Sequence, residues 1–366
     1  MYVPFNDLTR IHNPLKKIVI KKFEKIIDKN DFVLNEDIKK FEKNFSNFTK
    51  QKYAVSCANG TDAIELLLRG LGIGANDEVI VPVNTYIATA FAVENVGAKP
   101  IFVDNDDYYL MDSKKVESKI SPNTKAVIGV NLYGQMCDTS YLKKLCKEKG
   151  VFFLEDAAQS HGAKQRDYNV GDNSYGAAYS FYPGKNLGAW GDGGIVTTNS
   201  LRLYNRMNKI RNFGSKVKNF HEIQGSNTRL QPLQAIVLNE KLKYLSEWNQ
   251  ERTFVANKYM ESLLDIDKII LPKTFYGNHH VWHLFVMQVP NRNKFLEYCY
   301  SNGVELGIHY RLPIIKQEAY KESSQRNDNF EKSFSQYRNL ITLPIFPKMD
   351  KKEINHVISV VRKYFK

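Results

Sequence analysis

Paired cysteines and long apolar runs are both missing from this sequence of 366 residues. The cysteines are far apart, with no Cys-X-X-Cys pair, which argues against a zinc site and a disulfide framework. They are Cys57, Cys137, Cys146 and Cys299. No stretch reaches the roughly 18 apolar residues of a membrane span, and the first residues lack the charged and apolar regions of a signal peptide. We therefore expect buried free cysteines, no metal, no membrane partner and a cytoplasmic location.

Acidic residues are too few to balance the basic ones, which leaves a formal net charge of +13. Such a charge can serve nucleic-acid binding, because clustered Lys and Arg neutralise phosphates. The basic clusters here are short, and no zinc finger, RNP-type aromatic strand or long basic tail accompanies them. We therefore expect no nucleic-acid partner. A surface that attracts an anionic small substrate, or a compositional bias towards Lys and Asn, explains the charge as well.

The common nucleotide-binding loops are absent too. A P-loop around Lys185 would need glycine where Tyr179 stands and serine or threonine where Asn186 stands. A Rossmann loop would need a strand before its glycines, but residues 70–74 (Gly-Leu-Gly-Ile-Gly) follow a predicted helix. Neither class of nucleotide-binding enzyme is indicated.

Short apolar runs alternate with amphipathic stretches over the first part of the chain, which is typical of a sheet with crossover helices. The predicted strands are residues 54–58, 78–81, 100–103, 126–131, 151–154, 177–181 and 195–198. Helical spacing of apolar residues predicts helices over residues 62–71, 87–96, 141–149 and 201–210. The sequence thus predicts an α/β fold with a mainly parallel central sheet and flanking helices.

The pattern changes after Gln231 and Pro232, where one long helical stretch is predicted up to about Leu263. A short strand over residues 281–289, a helix over residues 293–301 and a closing helix from Lys351 follow. We expect a large domain over residues 1–244, including the N-terminal segment, and a smaller α+β domain over residues 245–366.

Polar groups arrive together after the predicted strand 151–154, in the run Glu-Asp-Ala-Ala-Gln-Ser-His-Gly of residues 155–162. Ligands of open α/β sheets bind outside the carboxyl ends of the strands, so Asp156 is a candidate site residue. The alternative is that Asp156 only caps a following helix. Gln159, three residues later, weakens that alternative slightly.

Lys185 follows another predicted strand, with aromatic residues before it and four glycines soon after it. A single lysine is by default a solvated surface residue. An amine that attacks a carbonyl at neutral pH must instead be deprotonated by burial or nearby positive charge. The apolar neighbours Phe181, Tyr182 and Leu187 are consistent with burial.

Two further strand ends carry candidate ligand groups. Gly60 and Thr61 lie where a strand passes into a helix, a place where free N–H groups bind anions, although many such turns only cap the helix. Tyr86 follows the next strand, where a tyrosine either packs or lies flat on a planar ligand. A phosphate cradle, an aromatic face, a carboxylate and a lysine together fit pyridoxal 5'-phosphate. This cofactor needs an amine for its Schiff base and a carboxylate for its ring nitrogen.

In this order and spacing the motifs resemble the DegT/DnrJ/EryC1/StrS family of sugar aminotransferases, a branch of the fold-type I pyridoxal-phosphate enzymes. The resemblance covers nearly the whole chain, although any one fragment is weak. The fragments are residues 4–8, 41–42, 59–61, 155–159, 180–181, 185, 191–194, 225–229, 309–310 and 343–347. Asp156 and Lys185 are 185 − 156 = 29 residues apart, which is similar to the spacing in the family.

The resemblance implies a role for each matching residue. Lys185 would form the imine with pyridoxal phosphate and act as general base, while Asp156 would pair with the ring nitrogen. Gln159 would contact the ring hydroxyl, and Tyr86 would stack on the ring. The phosphate would be bound by Gly60, Thr61 and Ser180, and by Asn227 of the partner subunit. The last role implies a homodimer with shared active sites.

The substrate contacts are less well defined by the resemblance. Arg229 is a candidate contact for a carboxylate or phosphate, and His309 and Tyr310 are candidate sugar contacts, but a structural role is credible for Arg229 and His309. Arg311 stands where the family more often has proline after the His-Tyr pair. That departure leaves the local substrate contact open.

Residues 181–189 (Phe-Tyr-Pro-Gly-Lys-Asn-Leu-Gly-Ala), followed by Gly-Asp-Gly-Gly at residues 191–194, resemble one subgroup of the family. Its members aminate C3 of dTDP-linked 3-keto-6-deoxy sugars, with L-glutamate as the expected donor, in deoxyamino sugar biosynthesis for O-antigens or other glycans. The alternatives are a 4-keto sugar nucleotide aminotransferase, a pyridoxal-phosphate sugar dehydratase, and a non-catalytic regulator that binds the cofactor. A UDP or GDP carrier also stays open. One exception in the family is a dehydratase with histidine in the lysine position, so Lys185 favours amino transfer.

Overall fold

The computed structural model of the protein describes residues 1–217 and 219–366. Its strands, in chain order, are β1 Tyr53–Cys57, β2 Glu78–Pro82, β3 Lys99–Val103, β4 Thr124–Val130, β5 Phe152–Asp156, β6 Lys164–Gln165, β7 Tyr168–Asn169, β8 Ala177–Ser180, β9 Gly194–Thr198, β10 Ser215–Val217, β11 Phe220–His221, β12 Asn278–His279, β13 Phe285–Gln288 and β14 Leu340–Leu343. Seven of them form the central sheet, in the order β1-β9-β8-β5-β4-β2-β3.

The central sheet is mainly parallel, as predicted. Strand β9 pairs antiparallel with both β1 and β8, and the other pairings are parallel. Each of the seven predicted strands is present, with ends moved by one or two residues. Strand β5 continues two residues beyond its predicted end, so Asp156 is the last residue of the strand and not a residue after it.

Helices cover both faces of this sheet, which explains why its strands are nearly continuous apolar runs. The α-helices are α1 Thr9–His12, α2 Lys16–Lys29, α3 Glu36–Thr49, α4 Gly60–Leu71, α5 Ala88–Asn95, α6 Ser113–Val116, α7 Thr139–Lys149, α8 Leu201–Ile210, α9 Pro232–Leu242, α10 Leu245–Leu263, α11 Arg292–Ser301, α12 Glu331–Gln336 and α13 Lys351–Phe365. Several begin at a side chain that accepts backbone N–H groups, as capping residues do. These side chains include Asn35, Asn59, Asp138, Ser200 and Asp350.

Helix α3 fixes the approach of the chain to Lys185. Its buried rings Phe41 and Phe45 contact the ring of Phe181 edge-on, with centroids 5.3 and 5.4 Å apart. Phe181 directly follows β8 and is fully buried. The turn that carries Lys185 therefore starts from a rigid apolar anchor.

The long helical stretch predicted after Pro232 is two helices, since α9 ends at Leu242 and α10 begins at Leu245. The predicted strand 281–289 is shorter than expected, because β13 covers only Phe285–Gln288. Residue Trp282 has a φ of 46°, a left-handed conformation that a strand cannot contain. Strand β13 pairs antiparallel with β14.

Helix α10 contributes to three apolar clusters. Leu245 packs with residues of the central sheet, Trp248 packs with α2 and α9, and Val255 and Tyr259 pack with β13, β14 and α13. Val3 also packs in the cluster of Val255 and Tyr259 and pairs with Val304. The domain boundary at residue 245 stays a prediction.

All four cysteines are buried and unpaired, as expected. Within the described part of the chain, no helix combines the length and apolar character needed to cross a bilayer.

Candidate active site

Four predicted site segments lie along one edge of the central sheet. Strand β1 ends at Cys57, β2 at Pro82, β5 at Asp156 and β8 at Ser180, and these four strands run parallel. Ligands of open α/β sheets bind at this edge. The predicted phosphate cradle, aromatic face, carboxylate and lysine thus follow strand ends on the same side of the molecule.

Helix α4 begins at Gly60 and Thr61 and offers free N–H groups. Its cap is Asn59, whose side chain accepts the N–H of Asp62 at 2.9 Å. The first helical hydrogen bond is that of Ala63 to the Asn59 carbonyl, so Gly60 and Thr61 have no carbonyl of the helix to pair with. N–H groups at the positive end of a helix are suited to bind a phosphate.

Ser180 lies directly against the start of α4. A Cβ atom on Gly60 would stand only 2.6 Å from the Ser180 Cβ and 3.0 Å from its Oγ, so only glycine fits there. The Ser180 Oγ accepts the N–H of Tyr182 at 3.3 Å, which leaves the hydroxyl hydrogen free to donate. Gly60, Thr61 and Ser180 therefore direct N–H and O–H donors to one place.

Asp156 is a buried carboxylate with two neutral hydrogen-bond donors. The Thr89 hydroxyl donates to Oδ2 at 2.8 Å, and the N–H of Ala158 donates to Oδ1 at 3.0 Å. The bond to Ala158 stabilises a turn, and no helix lies among the described residues 157–163 between Asp156 and β6, so Asp156 does not have the helix-capping role of the alternative interpretation. Burial raises the pKa of Asp156, opposed by these hydrogen bonds and by the charge of Lys185. A cation placed beside this carboxylate would keep it ionised.

Lys185 has an unusually acidic ammonium group. Burial lowers its pKa from the ordinary lysine value to about 8, and the negative charge of Asp156 opposes that shift. The residue is still partly accessible to solvent, as a group that reacts with a ligand must be. The amine is therefore free in part of the molecules near neutral pH.

Gln159 connects the Asp156 segment to two other parts of the chain. Its Oε1 accepts the N–H of Tyr133 at 2.7 Å, and its Nε2 donates to the Tyr310 hydroxyl at 2.8 Å. The Tyr310 ring lies 5.8 Å from the ring of Tyr86. Tyr86 is 58% exposed although it follows a buried strand, and it therefore offers a free aromatic face.

His309 lies on the same side of the molecule but is held by structural contacts. Its Nδ1 is 2.8 Å from the Thr342 hydroxyl, and its ring stacks on Phe5 with centroids 5.7 Å apart. Burial, with a smaller effect of the Lys185 charge, lowers the pKa of His309 to about 4. A neutral imidazole near the lysine can hydrogen-bond a sugar hydroxyl without competing for the proton.

Arg229 and Asn227 belong to another segment, beside the β10–β11 hairpin. Arg229 donates to the Asn212 side chain at 3.0 Å and lies over the Phe213 ring. Asn227 pairs with Asn212 through the backbone and is exposed. The hydrogen bonds of the described residues thus hold Arg229 within its own segment and leave the Asn227 side chain on the surface.

Several residues at this edge are absent from the sequence prediction. Thr89 is one turn after Tyr86 along the chain and could have been suggested by its position near a strand end. Tyr133 is far from the motifs in sequence. Asn6 lies in the matching fragment 4–8, but the resemblance implies no role for it, and it approaches Gly184. The Asn6 Oδ1 is buried without a hydrogen-bond partner among the described residues.

These residues fit pyridoxal 5'-phosphate. The donors at Gly60, Thr61 and Ser180 match its phosphate, and the buried Asp156 carboxylate matches a protonated ring nitrogen. Lys185, with its lowered pKa, matches the aldehyde. The fold and the site together define a fold-type I pyridoxal-phosphate enzyme.

Comparison with known proteins identifies the family within the fold-type I pyridoxal-phosphate enzymes. The model of the DegT/DnrJ/EryC1/StrS aminotransferase family matches residues 14–362, and the chain belongs to this family. Its members are pyridoxal-phosphate-dependent sugar aminotransferases, so the predicted fold class, enzyme class and cofactor are confirmed.

Individual relatives are similar over almost their full length. The dTDP-3-amino-3,4,6-trideoxy-alpha-D-glucose transaminase of Streptomyces venezuelae is 37% identical, over 99% of this chain and 96% of the relative. The dTDP-3-amino-3,6-dideoxy-alpha-D-galactopyranose transaminase of Aneurinibacillus thermoaerophilus is 39% identical over 99% of both chains. The crystal structure of S. venezuelae DesV in complex with a ketimine intermediate has a TM-score of 0.97 at 37% identity, covering 100% of this chain and 99% of that one.

Proposed function

We propose that the protein transfers the amino group of L-glutamate to a dTDP-linked 3-keto-6-deoxyhexose, which becomes the 3-amino sugar. The observation that carries amino transfer is the lowered pKa of Lys185, at the sheet edge that also holds Asp156. The C3 position and the dTDP carrier are supported by the names of two relatives, each matched over 99% of this chain.

The cofactor contacts follow from the chemistry of the edge residues. Asp156 would hold the ring nitrogen through its charge, and Gln159 would contact the ring hydroxyl with its amide fixed by Tyr310. Tyr86 would cover one face of the ring. When bound, pyridoxal phosphate would supply an aldehyde for the amino groups and a ring that takes up the electrons left on the donor α-carbon.

Lys185 moves the proton. Its Nζ would hold the cofactor before the amino donor binds and, once free, would accept the proton that leaves the α-carbon of glutamate. A pKa of about 8 leaves a usable fraction of free amine at neutral pH and a conjugate acid that can return the proton. An ordinary lysine, with a pKa of about 10.4, would be almost wholly protonated.

The phosphate contacts imply a second subunit. Gly60, Thr61 and Ser180 supply donors from one chain, and Asn227 of the partner subunit supplies another. Asn227 is exposed, which suits a residue that reaches into a neighbouring site. The proposed assembly is a homodimer with shared active sites.

The substrate contacts are proposed in two groups. His309 and Tyr310 lie near Lys185 and Gln159 and are suited to hydrogen-bond sugar hydroxyls. Arg229 is suited to a phosphate or carboxylate, in a site that it reaches from its own segment or from the partner subunit.

A direct comparison of substrates tests the function. The purified enzyme is incubated with L-glutamate and either a dTDP-3-keto-6-deoxyhexose or a dTDP-4-keto-6-deoxyhexose, and the products are identified by mass spectrometry and NMR. We expect a 3-amino sugar, 2-oxoglutarate in equal amount, and no product from the Lys185→Ala variant.

Other products in the substrate comparison would contradict the proposed function. Turnover of the 4-keto sugar alone would overturn the C3 assignment, and a deoxygenated product without an amino group would indicate a dehydratase. Cofactor binding without turnover of either sugar would favour a regulator. An active Lys185→Ala variant would contradict the mechanism itself.

A further inference from the structure

Asn186, the residue after Lys185, is buried in a network of hydrogen bonds. Its Nδ2 donates to the Asn249 Oδ1 at 2.8 Å and to the Val281 carbonyl at 3.0 Å. Its Oδ1 is 3.0 Å from the His283 Nδ1. The side chains of Asn186, Asn249 and His283 are all buried. A surface turn needs no such set of contacts.

The direction of every bond in this network is fixed by the backbone carbonyls at its ends. Val281 offers only a carbonyl, so the NH2 group of Asn186 must face it. Asn249 donates its own Nδ2 to the His161 carbonyl at 2.8 Å, so its Oδ1 must face Asn186. Neither amide can be reversed without placing two acceptors against each other.

The same logic fixes the proton on His283. The Asn186 Oδ1 can only accept, so the His283 Nδ1 must donate and carry the hydrogen. Burial holds the pKa of His283 well below its ordinary value, so the ring is neutral. The positive charges of Lys185 and Arg252 also lower this pKa.

The network joins the segment that carries Lys185 to the segment that follows Asp156. Asn186 is covalently next to Lys185, and Asn249 ends on the carbonyl of His161, in the segment that follows Asp156 and Gln159. Helix α10 supplies Asn249, so one rigid element holds both strand-end segments. The lysine turn is also held at Gly188, whose carbonyl accepts from the buried Lys241 amine.

We propose that Asn186 is a positioning residue for Lys185. Through Asn249 and Val281 it fixes the backbone beside the lysine, and through His283 it keeps a neutral imidazole of defined tautomer near the reacting amine. This inference rests on the proposed aminotransferase function. Removal of the Asn186 side chain keeps Lys185 in the chain but allows the turn that carries it to shift.

The test uses Asn186→Ala in the cofactor-loaded enzyme, with Asn239→Ala as the matched control. Asn239 is also buried, accepts from another asparagine amide at 2.8 Å and donates to the Asp37 carbonyl at 3.2 Å, but it lies in the contact of α3 and α9. Each variant is measured in three experiments. They give the pH midpoint of the cofactor absorbance band without substrate, the steady-state kcat and KM, and the thermal midpoint of unfolding.

For Asn186→Ala we expect kcat to fall about 10- to 100-fold, because misplacing a reacting group by about 1 Å costs on that order. KM for glutamate should stay within about threefold, and the pH midpoint should shift. Asn239→Ala should lower the thermal midpoint with wild-type kcat and pH midpoint. A folded Asn186→Ala enzyme with wild-type kcat and pH midpoint would overturn the proposal.

A second variant covers the case in which Asn186→Ala does not fold. Asn186→Asp keeps the shape, removes both donors and places a negative charge against His283, so its pH midpoint should move upward and kcat should fall. A wild-type profile in this variant would also reject a positioning role. The pH midpoint of the cofactor band is measured without sugar, so it tests the positioning role independently of the substrate. If the wild-type enzyme shows a pH midpoint but aminates no sugar, only the proposed function is rejected.

Discussion

At the scale of single residues, burial shifts the pKa values of Lys185 and Asp156, and the charge of each residue limits the pKa shift of the other. Burial lowers the pKa of Lys185 to about 8, and the carboxylate of Asp156 limits that fall. Burial raises the pKa of Asp156, and the ammonium group of Lys185 limits that rise. The pair is therefore sensitive to the loss of either charge.

We expect the reactivity of Lys185 in the cofactor-free enzyme to rise with pH and level off above about pH 8. Only the free amine reacts, and at pH 7 the free fraction of a lysine of pKa about 8 is about 230 times that of an ordinary one of pKa about 10.4. Asp156→Asn removes the negative charge that supports the ammonium form, so the midpoint should move lower. Competitive acetylation followed by peptide mass spectrometry measures both midpoints. A midpoint above about pH 10 in the wild type would contradict the burial of this amine.

Gly60 should not tolerate a methyl group. The added Cβ of Gly60→Ala would lie 2.6 Å from the Ser180 Cβ, so the start of α4 and Ser180 must separate. Overpacking of this kind costs about 1–3 kcal/mol, and each 1.4 kcal/mol is a tenfold change in affinity. We expect the dissociation constant for pyridoxal phosphate to rise about tenfold or more, measured by absorbance titration.

Gly74→Ala is the control for that experiment, because its added Cβ would lie 3.3 Å from the Val96 carbonyl and away from the cofactor edge. Cofactor affinity equal to the wild type in Gly60→Ala would mean that the close approach to Ser180 has no part in phosphate binding.

The site residues that the sequence predicts are those beside strand ends. Asp156 and Lys185 could be found because a buried strand delivers them to the ligand edge. Tyr133 and His283 could not, since their contacts join segments far apart in the chain. The Tyr133 contact to Gln159 spans 26 residues, and the Gln159 contact to Tyr310 spans 151.

At the scale of elements, the central strands are predictable because parallel strands buried on both faces give continuous apolar runs. Helix α2 is harder to predict from its pattern. Its buried residues Val19 and Ile26 form a narrow stripe, and Ile18, Ile20 and Ile27 are exposed on other sides. The exposed isoleucines widen the apolar side of the helix beyond the stripe that packs, so the pattern alone does not identify the buried residues.

The β10–β11 hairpin carries exposed apolar side chains that suit a subunit contact. Val217 is 63% exposed and Phe220 64% exposed, and Asn227 follows in the same segment. Clustered apolar exposure of this kind marks interaction sites. If the proposed homodimer buries the hairpin, Phe220→Asp should weaken it and shift the mass in sedimentation velocity towards one subunit.

Tyr300→Asp provides the comparison, because Tyr300 is 68% exposed on helix α11. This variant should keep the mass of the wild type. Equal masses for Phe220→Asp and the wild type at low protein concentration would place the subunit contact elsewhere.

At the scale of the whole molecule, the proposed sharing of active sites between subunits predicts that two defective variants complement each other. In a hybrid dimer of Lys185→Ala and Asn227→Asp subunits, one site combines Lys185 of one subunit with Asn227 of the partner subunit and is intact. The other site carries both changes. Random pairing makes half of the dimers hybrids, so activity should recover to about a quarter of the wild type.

Two purification tags on co-expressed subunits isolate the hybrid, in which one site of two is intact, so the isolated hybrid should show about half of the wild-type activity. The parent variants are assayed in parallel. A hybrid no more active than the sum of its parents would mean that each site is built from one chain.

The contact between the two ends of the chain has a consequence for synthesis on the ribosome. Val3 pairs with Val304, and these residues are 304 − 3 = 301 positions apart. The ribosome therefore releases Val3 long before its partner exists, and this pairing must be among the last to form. The apolar neighbours of Val3 begin at Val255, so its side chain has no native apolar contact until those residues are made. The nascent chain thus carries Val3 unprotected through most of translation, when chaperones that bind nascent apolar segments have access to it.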